Sequence, residues 1–114
     1  DDVGTMVFDE VDSGIGGAIA EVVGRKLRDL GAKSQVLCVT HLPQVAALGH
    51  RHLRVVKASS KDATRIRIEH LDGDARRDEI ARMLGGIEIT SETVAHADRM
   101  LASSAAVPRS KRSR

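Results

Sequence analysis

Thr5-Met6-Val7-Phe8-Asp9-Glu10-Val11-Asp12-Ser13-Gly14-Ile15-Gly16-Gly17 is the stretch that decides the fold. A mostly apolar run leads into two adjacent carboxylates, then a glycine-rich turn, then an amphipathic pattern. The run lacks polar alternation, as expected of a strand buried on both faces of a parallel sheet. Ligands of open α/β sheets gather beyond the carboxyl ends of such strands. Asp9 and Glu10 therefore emerge where chemistry would be done, and strand alternation predicts that they leave in different directions. In a nucleotide-hydrolysing site one such carboxylate helps hold Mg²⁺ through its waters, and the other orients or deprotonates the attacking water. The competing reading is a polar strand end that simply meets solvent.

The second apolar run, Gln35-Val36-Leu37-Cys38-Val39-Thr40, ends in His41-Leu42-Pro43. Two parallel strands joined by a helical crossover would bring Asp9, Glu10 and His41 to one edge of the sheet.

Phe8 to Gly17, Val36 to Ala46 (Val-Leu-Cys-Val-Thr-His-Leu-Pro-Gln-Val-Ala), Glu79 to Gly86 and Ile89-Thr90 together closely resemble the RecN family of bacterial DNA repair proteins. That family is related to the SMC proteins and carries an ABC-type ATPase head. One common family version has Thr at the place of Ser13 and Ser at the place of Gly16. The fold class this implies is α/β, the C-terminal lobe of a P-loop NTPase head of ABC/SMC type. Parallel strands with helical crossovers are joined there by an antiparallel strand pair and two C-terminal helices.

The resemblance also implies roles. Asp9 is the Walker B aspartate that helps hold Mg²⁺, and Glu10 is the catalytic carboxylate. Asp12, Ser13 and Gly14 match the D-loop, which lies at the interface of two heads and reaches the partner's nucleotide. Asp and Ser there are also good helix caps. His41 matches the switch histidine that contacts the γ-phosphate. The implied ligands are ATP and Mg²⁺, and the implied partners are a second copy of the head and DNA. The implied role is double-strand break repair and recombination in the bacterial cytoplasm, at the nucleoid.

Two motifs are absent from the sequence. No Gly-x-x-x-x-Gly-Lys-Ser/Thr occurs, and Gly14-Ile15-Gly16-Gly17 lacks the Lys-Ser/Thr that would make it a phosphate loop, so it reads as turn geometry. The Ser-Gly-Gly-rich signature of ABC heads is missing as well. The chain is expected to hold half of a site and not to hydrolyse ATP alone.

With 114 residues the chain suits one small domain. Its first strand reads as central yet finds only one clear parallel neighbour, which suggests a fragment whose N-terminal part completes the sheet. Cys38 lies inside an apolar strand and is expected to be a buried, inert thiol, and a single cysteine fits a reducing compartment. No apolar run is long enough to span a membrane. One Phe, with no Tyr or Trp, argues against base-stacking surfaces for single strands. The net charge of +2 is a property of the C-terminal end: setting Arg109, Lys111, Arg112 and Arg114 aside from the 18 basic side chains leaves 14 against 16 acidic ones.

Along the chain, residues 4–9 read as a strand and 10–16 as a turn. Ile19, Val22, Val23, Lys26/Leu27 and Leu30 trace one helical face, stopped by Gly31 as a C′ residue. A strand at 35–40 precedes a short helix opened by Pro43 and running to about Leu48. Residues 52–58 and 64–71 alternate as an antiparallel pair. Helices follow at 75–84, with Ile80, Met83 and Leu84 inward, and after Thr90 or Ser91, with Val94, Ala97, Met100 and Leu101 inward. Residues 1–102 are expected to be the head fragment and 103–114 a disordered basic tail. Histidines 50 and 52 alternate and could share a strand face, which would permit metal binding, but no third zinc ligand of the right type is near. The alternatives to a RecN-like head are another ABC-type ATPase, such as a transporter subunit, or a non-enzymatic module that binds DNA through the tail.

Overall fold

The computed structural model describes residues 4–10, 14–86 and 88–106. In chain order these form β1 (Thr5–Asp9), α1 (Gly17–Gly31), β2 (Gln35–Val39), α2 (Pro43–Ala46), β3 (His52–Ser59), β4 (Thr64–Leu71), α3 (Gly73–Gly85) and α4 (Ser91–Ala106). Every expected element is present. β1 and β2 pair in parallel, from Thr5 opposite Gln35 to Asp9 opposite Val39, and α1 is the crossover between them. The side chains of Thr5 and Gln35 also hydrogen-bond across the start of the pair. β3 and β4 form a separate antiparallel hairpin, from His52 opposite Leu71 to Ser59 opposite Thr64.

The first sheet is covered on one side only among the described residues. Val7 is 62% exposed and Leu37 and Val39 are nearly half exposed, while Met6, Phe8, Val36 and Cys38 on the other face are half-buried. The expectation of a strand buried on both faces is corrected to this extent, and Cys38 is half-buried rather than enclosed. An unbroken apolar run calls for cover on two faces, but the described chain supplies helices to one.

α1 also differs from its expected face. Ala20 and Gly24 are its buried residues, with Val23, Leu27 and Leu30 partly covered, while Ile19 and Val22 are more than half exposed. The helix approaches α2 through its smallest residues. A Cβ built on Gly24 would stand 2.7 Å from Leu48 Cδ1 and 3.4 Å from Val45 Cα, so a larger residue there would require the tip of Leu48 to shift. Gly31 is the last residue of α1 rather than a left-handed C′ residue. Ala32 follows it in right-handed geometry and returns its N–H to the carbonyls of Arg28 and Asp29.

The core lies between α2, α3 and α4, where Ala47, Ile80, Ala81 and Ala97 are all but inaccessible. Met83, Leu84, Val94, Met100 and Leu101 pack around them, matching the inward faces read from the sequence. Gly86, at φ +74°, ends α3. Thr90 caps α4: its hydroxyl accepts the N–H of Thr93 (3.2 Å), and Thr93 Oγ1 accepts the N–H of Thr90 (3.0 Å), the reciprocal pattern of a capping box. The expected tail boundary at 103 falls inside α4, which runs to Ala106 and buries Ser104. Residues 107–114 lie outside the described residues.

Candidate functional site

The carboxyl ends of β1 and β2 form one edge, and Asp9, Glu10 and His41 follow from it. Asp9 is the last residue of β1, on the same open face as Thr5 and Val7. Glu10 follows at φ +55°, the only non-glycine in left-handed geometry among the described residues. Its N–H donates to the carbonyl of Val39 (2.9 Å), extending the parallel ladder by one bond. A left-handed residue with a Cβ costs about 1–2 kcal/mol. Strand alternation therefore ends at Asp9, and the direction of Glu10 is set by a sharp left-handed turn, not by the pleat. Both carboxylates are exposed.

β2 ends at Val39, and His41 follows, also exposed. Thr40 Oγ1 accepts the N–H of Leu42 (3.0 Å), which shapes the turn before Pro43 enters α2 at its first position. The parallel pairing thus brings Asp9, Glu10 and His41 to one end of the sheet. Asp12 and Ser13 lie outside the described residues, and Gly14 stands at φ +79°, a geometry that favours glycine.

The capping role read for Asp12 and Ser13 falls outside the described residues. The N-cap position is Gly16, extended at φ −83° and ψ 175°, with no side-chain hydrogen bond. Gly17 next to it faces Gln44 of α2: a Cβ there would meet Nε2 at 3.4 Å. The turn after β1 and the turn after β2 are therefore each followed by a helix that touches the other.

The hairpin is joined to α3 by charge. Glu79, 6% exposed, accepts from Arg82 Nη2 (2.6 Å) and Nε (2.9 Å) and from Arg54 Nη1 (3.2 Å). Arg54 also donates to Glu69 (2.6 Å), which accepts from Arg67 as well (2.6 Å). The Arg82 and Arg54 hydrogen bonds hold the Glu79 carboxyl below its ordinary range against the opposing effect of burial. His52 goes the other way for a base: burial and the nearby Arg76 cation lower its pKa from 6.5. Sequence reading missed Glu79, Arg76 and Ser104 as organising residues. Each looks like an ordinary polar residue of a helix, and only the packing of helices distant in sequence reveals its partners.

No family model matches the chain. Over 101 residues it is 61% identical to DNA repair protein RecN of Xylella fastidiosa (strain Temecula1), covering 89% of this chain and 18% of that protein. The chain is similar to one segment of RecN. RecN of Vibrio cholerae is 50% identical and RecN of Bacillus subtilis 41% identical, each over 100 residues and 88% of this chain. The chain spans 17–18% of the length of these RecN relatives. A solved structure described as "Structural biochemistry of ATP-driven dimerization and DNA stimulated activation of SMC ATPases" shares the fold with a TM-score of 0.58 at 11% identity. The match covers 77% of this chain and 52% of that one. The α/β fold class and the likeness to RecN read from the motifs are both borne out. No described helix is long and apolar enough to cross a membrane.

Asp9 suits Mg²⁺ by its chemistry: an exposed carboxylate at a strand end is a hard oxygen donor of the kind that ion accepts through water. No cluster of three or more metal-ligating side chains occurs among the described residues.

Proposed function

We propose that this chain is the Walker B and switch-histidine lobe of an SMC-like, RecN-type ATPase head that acts in DNA double-strand break repair. The observation that carries this reading is the common edge of β1 and β2, where Asp9, Glu10 and His41 follow two hydrogen-bonded parallel strands. The RecN relatives and the shared SMC ATPase fold support it.

In this reading ATP is bound chiefly by a phosphate loop outside this sequence, and Mg²⁺, when bound, neutralises charge on the phosphates. Asp9 holds that ion through water. Glu10 accepts a proton from the attacking water and orients it toward the γ-phosphate. His41 donates a hydrogen bond to the γ-phosphate and makes the geometry of the edge depend on its presence. Asp12, Ser13 and Gly14 face a second head, so hydrolysis is tied to engagement of two copies, a two-state element biased by the nucleotide. DNA is the partner of the whole assembly, and the cytoplasm at the nucleoid is its place. The chain by itself, lacking the phosphate loop, does not hydrolyse ATP.

The test is single-turnover ATP hydrolysis by a head that joins this chain to its phosphate-loop half, with Glu10→Gln as the variant. Loss of a positioned base lowers the rate by about 10²–10⁴-fold. The variant is expected to bind ATP, accumulate as dimer and hardly hydrolyse it. An unchanged rate would remove Glu10 from the chemistry and the reading with it.

A further inference from the structure

α2 is a single turn standing between His41 and the core. The Leu42 carbonyl accepts the N–H groups of Val45 (3.1 Å) and Ala46 (3.0 Å), and the Pro43 carbonyl accepts that of Ala47 (2.9 Å). Residues 42–47 are thereby tied into one piece whose near end is the turn carrying His41. Its far end is held by side chains from three other helices.

Arg76 of α3 donates through Nη2 to the carbonyls of Gly49 (2.7 Å), Ala46 (3.1 Å) and Ala47 (3.4 Å). Ser104 of α4 donates its hydroxyl to the Ala47 carbonyl (2.7 Å). Arg28 of α1 donates Nη1 to the Leu48 carbonyl (2.7 Å). The four successive carbonyls 46–49 are all engaged. Among the described residues Arg76 hydrogen-bonds to no carboxylate; its charge is met by backbone dipoles, and burial together with the Arg28 cation lowers its pKa. Placing a guanidinium in a half-buried site without an anion is unfavourable, and here Nη2 alone is engaged while the buried Nε finds no partner among the described residues. A neutral apolar side chain would fill that volume more cheaply, so a fixed geometry at carbonyls 46–49 is what the cation contributes.

We propose that Arg76, seconded by Ser104, is a positioning residue for His41: by holding the carbonyl end of α2 it fixes the turn at residues 40–42 that presents the imidazole. The inference rests on the assignment of His41 to the γ-phosphate. It adds that the packed pair α3–α4, remote in sequence from the motif residues, sets how accurately His41 is delivered. Displacing a reacting group by about 1 Å costs on the order of 10²-fold in rate, so a small shift of α2 is enough to be read kinetically.

The experiment measures ATP hydrolysis by the assembled head, with circular dichroism as the check on folding. Arg76→Met is expected to lower kcat about tenfold or more while KM for ATP stays within about twofold, because the phosphate cradle is untouched. Arg76→Lys, which keeps the charge but lacks the planar fork, should restore part of the loss. Ser104→Ala removes one donor from the Ala47 carbonyl and should lower kcat by less, and it serves alone if Arg76→Met does not fold. In a His41→Ala head, neither Arg76→Met nor Ser104→Ala should lower kcat further, since the residue they position is gone. A folded Arg76→Met or Ser104→Ala head with the parent kcat overturns the proposal, and so do losses that multiply with that of His41→Ala. A His41→Ala head with unchanged hydrolysis overturns the His41 assignment itself, and is told apart because it needs no change at Arg76.

Discussion

The N–H of Glu10 is bound to the carbonyl of Val39 at 2.9 Å, so the residue after one strand is fastened to the last residue of the other. Because His41 lies two residues beyond Val39, the carboxylate turn and the histidine turn share one backbone anchor. That anchor is independent of either side chain. Substitutions at Glu10 that keep the backbone should therefore alter chemistry without loosening the edge.

Glu10→Gly separates strain from function. Glycine removes the left-handed penalty at φ +55°, partly offset by the extra freedom it gives the unfolded chain. The expected result is a gain in stability of up to about 1 kcal/mol in denaturant titration of the chain, together with loss of the hydrolysis proposed for the assembled head. A destabilised Glu10→Gly protein would mean that the carboxylate makes a compensating contact.

Gly16→Ser should strengthen the start of α1. The N-cap backbone is already extended and a Cβ there meets nothing within 4 Å, so a hydroxyl can reach the exposed N–H groups of the first turn. The gain expected is about 0.5 kcal/mol, read as a rise of about 2 °C in Tm.

The burial of His52 predicts a pH dependence. Its folded pKa lies below 6.5 while the unfolded chain titrates near that value, so the unfolded state binds more protons as pH falls. The stability this neutral histidine preserves is complete above 6.5 and is lost as pH drops from there through the folded value. Urea midpoints measured from pH 7.5 to 5 should fall, and His52→Gln should flatten that slope.

Glu79 is titrated in a lower window with the same sign. Its depressed folded pKa means that its contribution is intact above the ordinary 4.5 and is lost as pH falls through the folded value. Glu79→Ala frees Arg82 and leaves Arg54 bonded to Glu69 alone, and both are about half exposed and can rehydrate. A cost of about 1–2 kcal/mol at pH 7 is therefore expected by chemical denaturation, less than for a fully enclosed pair.

Much of the fold was legible because local rules agreed. Pro43 at the first position of α2, Gly86 after α3, Thr90 before α4 and the alternating hairpin strands each encode their element within a few residues. The site edge was legible for the same reason, since a parallel pair with a helical crossover fixes where Asp9, Glu10 and His41 emerge. What failed to show was anything set by the approach of elements distant in sequence. The face of α1 was misread because Ile19 and Val22 satisfy a helical period, whereas Ala20 and Gly24 satisfy the narrow gap to α2. Gly31 resembles a terminator, but the chain continues right-handed through Ala32. The tail was placed too early because Ser103 and Ser104 are polar, and a buried serine bonded to the Ala47 carbonyl leaves no mark in composition.

The gap between α1 and α2 has a consequence for how this stretch can change over generations. Gly24 and Leu48 occupy one shared volume, so neither position drifts freely. A methyl gained at 24 requires the tip of Leu48 to move aside or to give up bulk, so substitutions at the two positions should tend to arrive together among descendants. Since α1 follows the carboxylates and α2 follows the histidine, that pairwise constraint is a heritable trace of the distance between the two turns, carried by residues that need never meet a ligand.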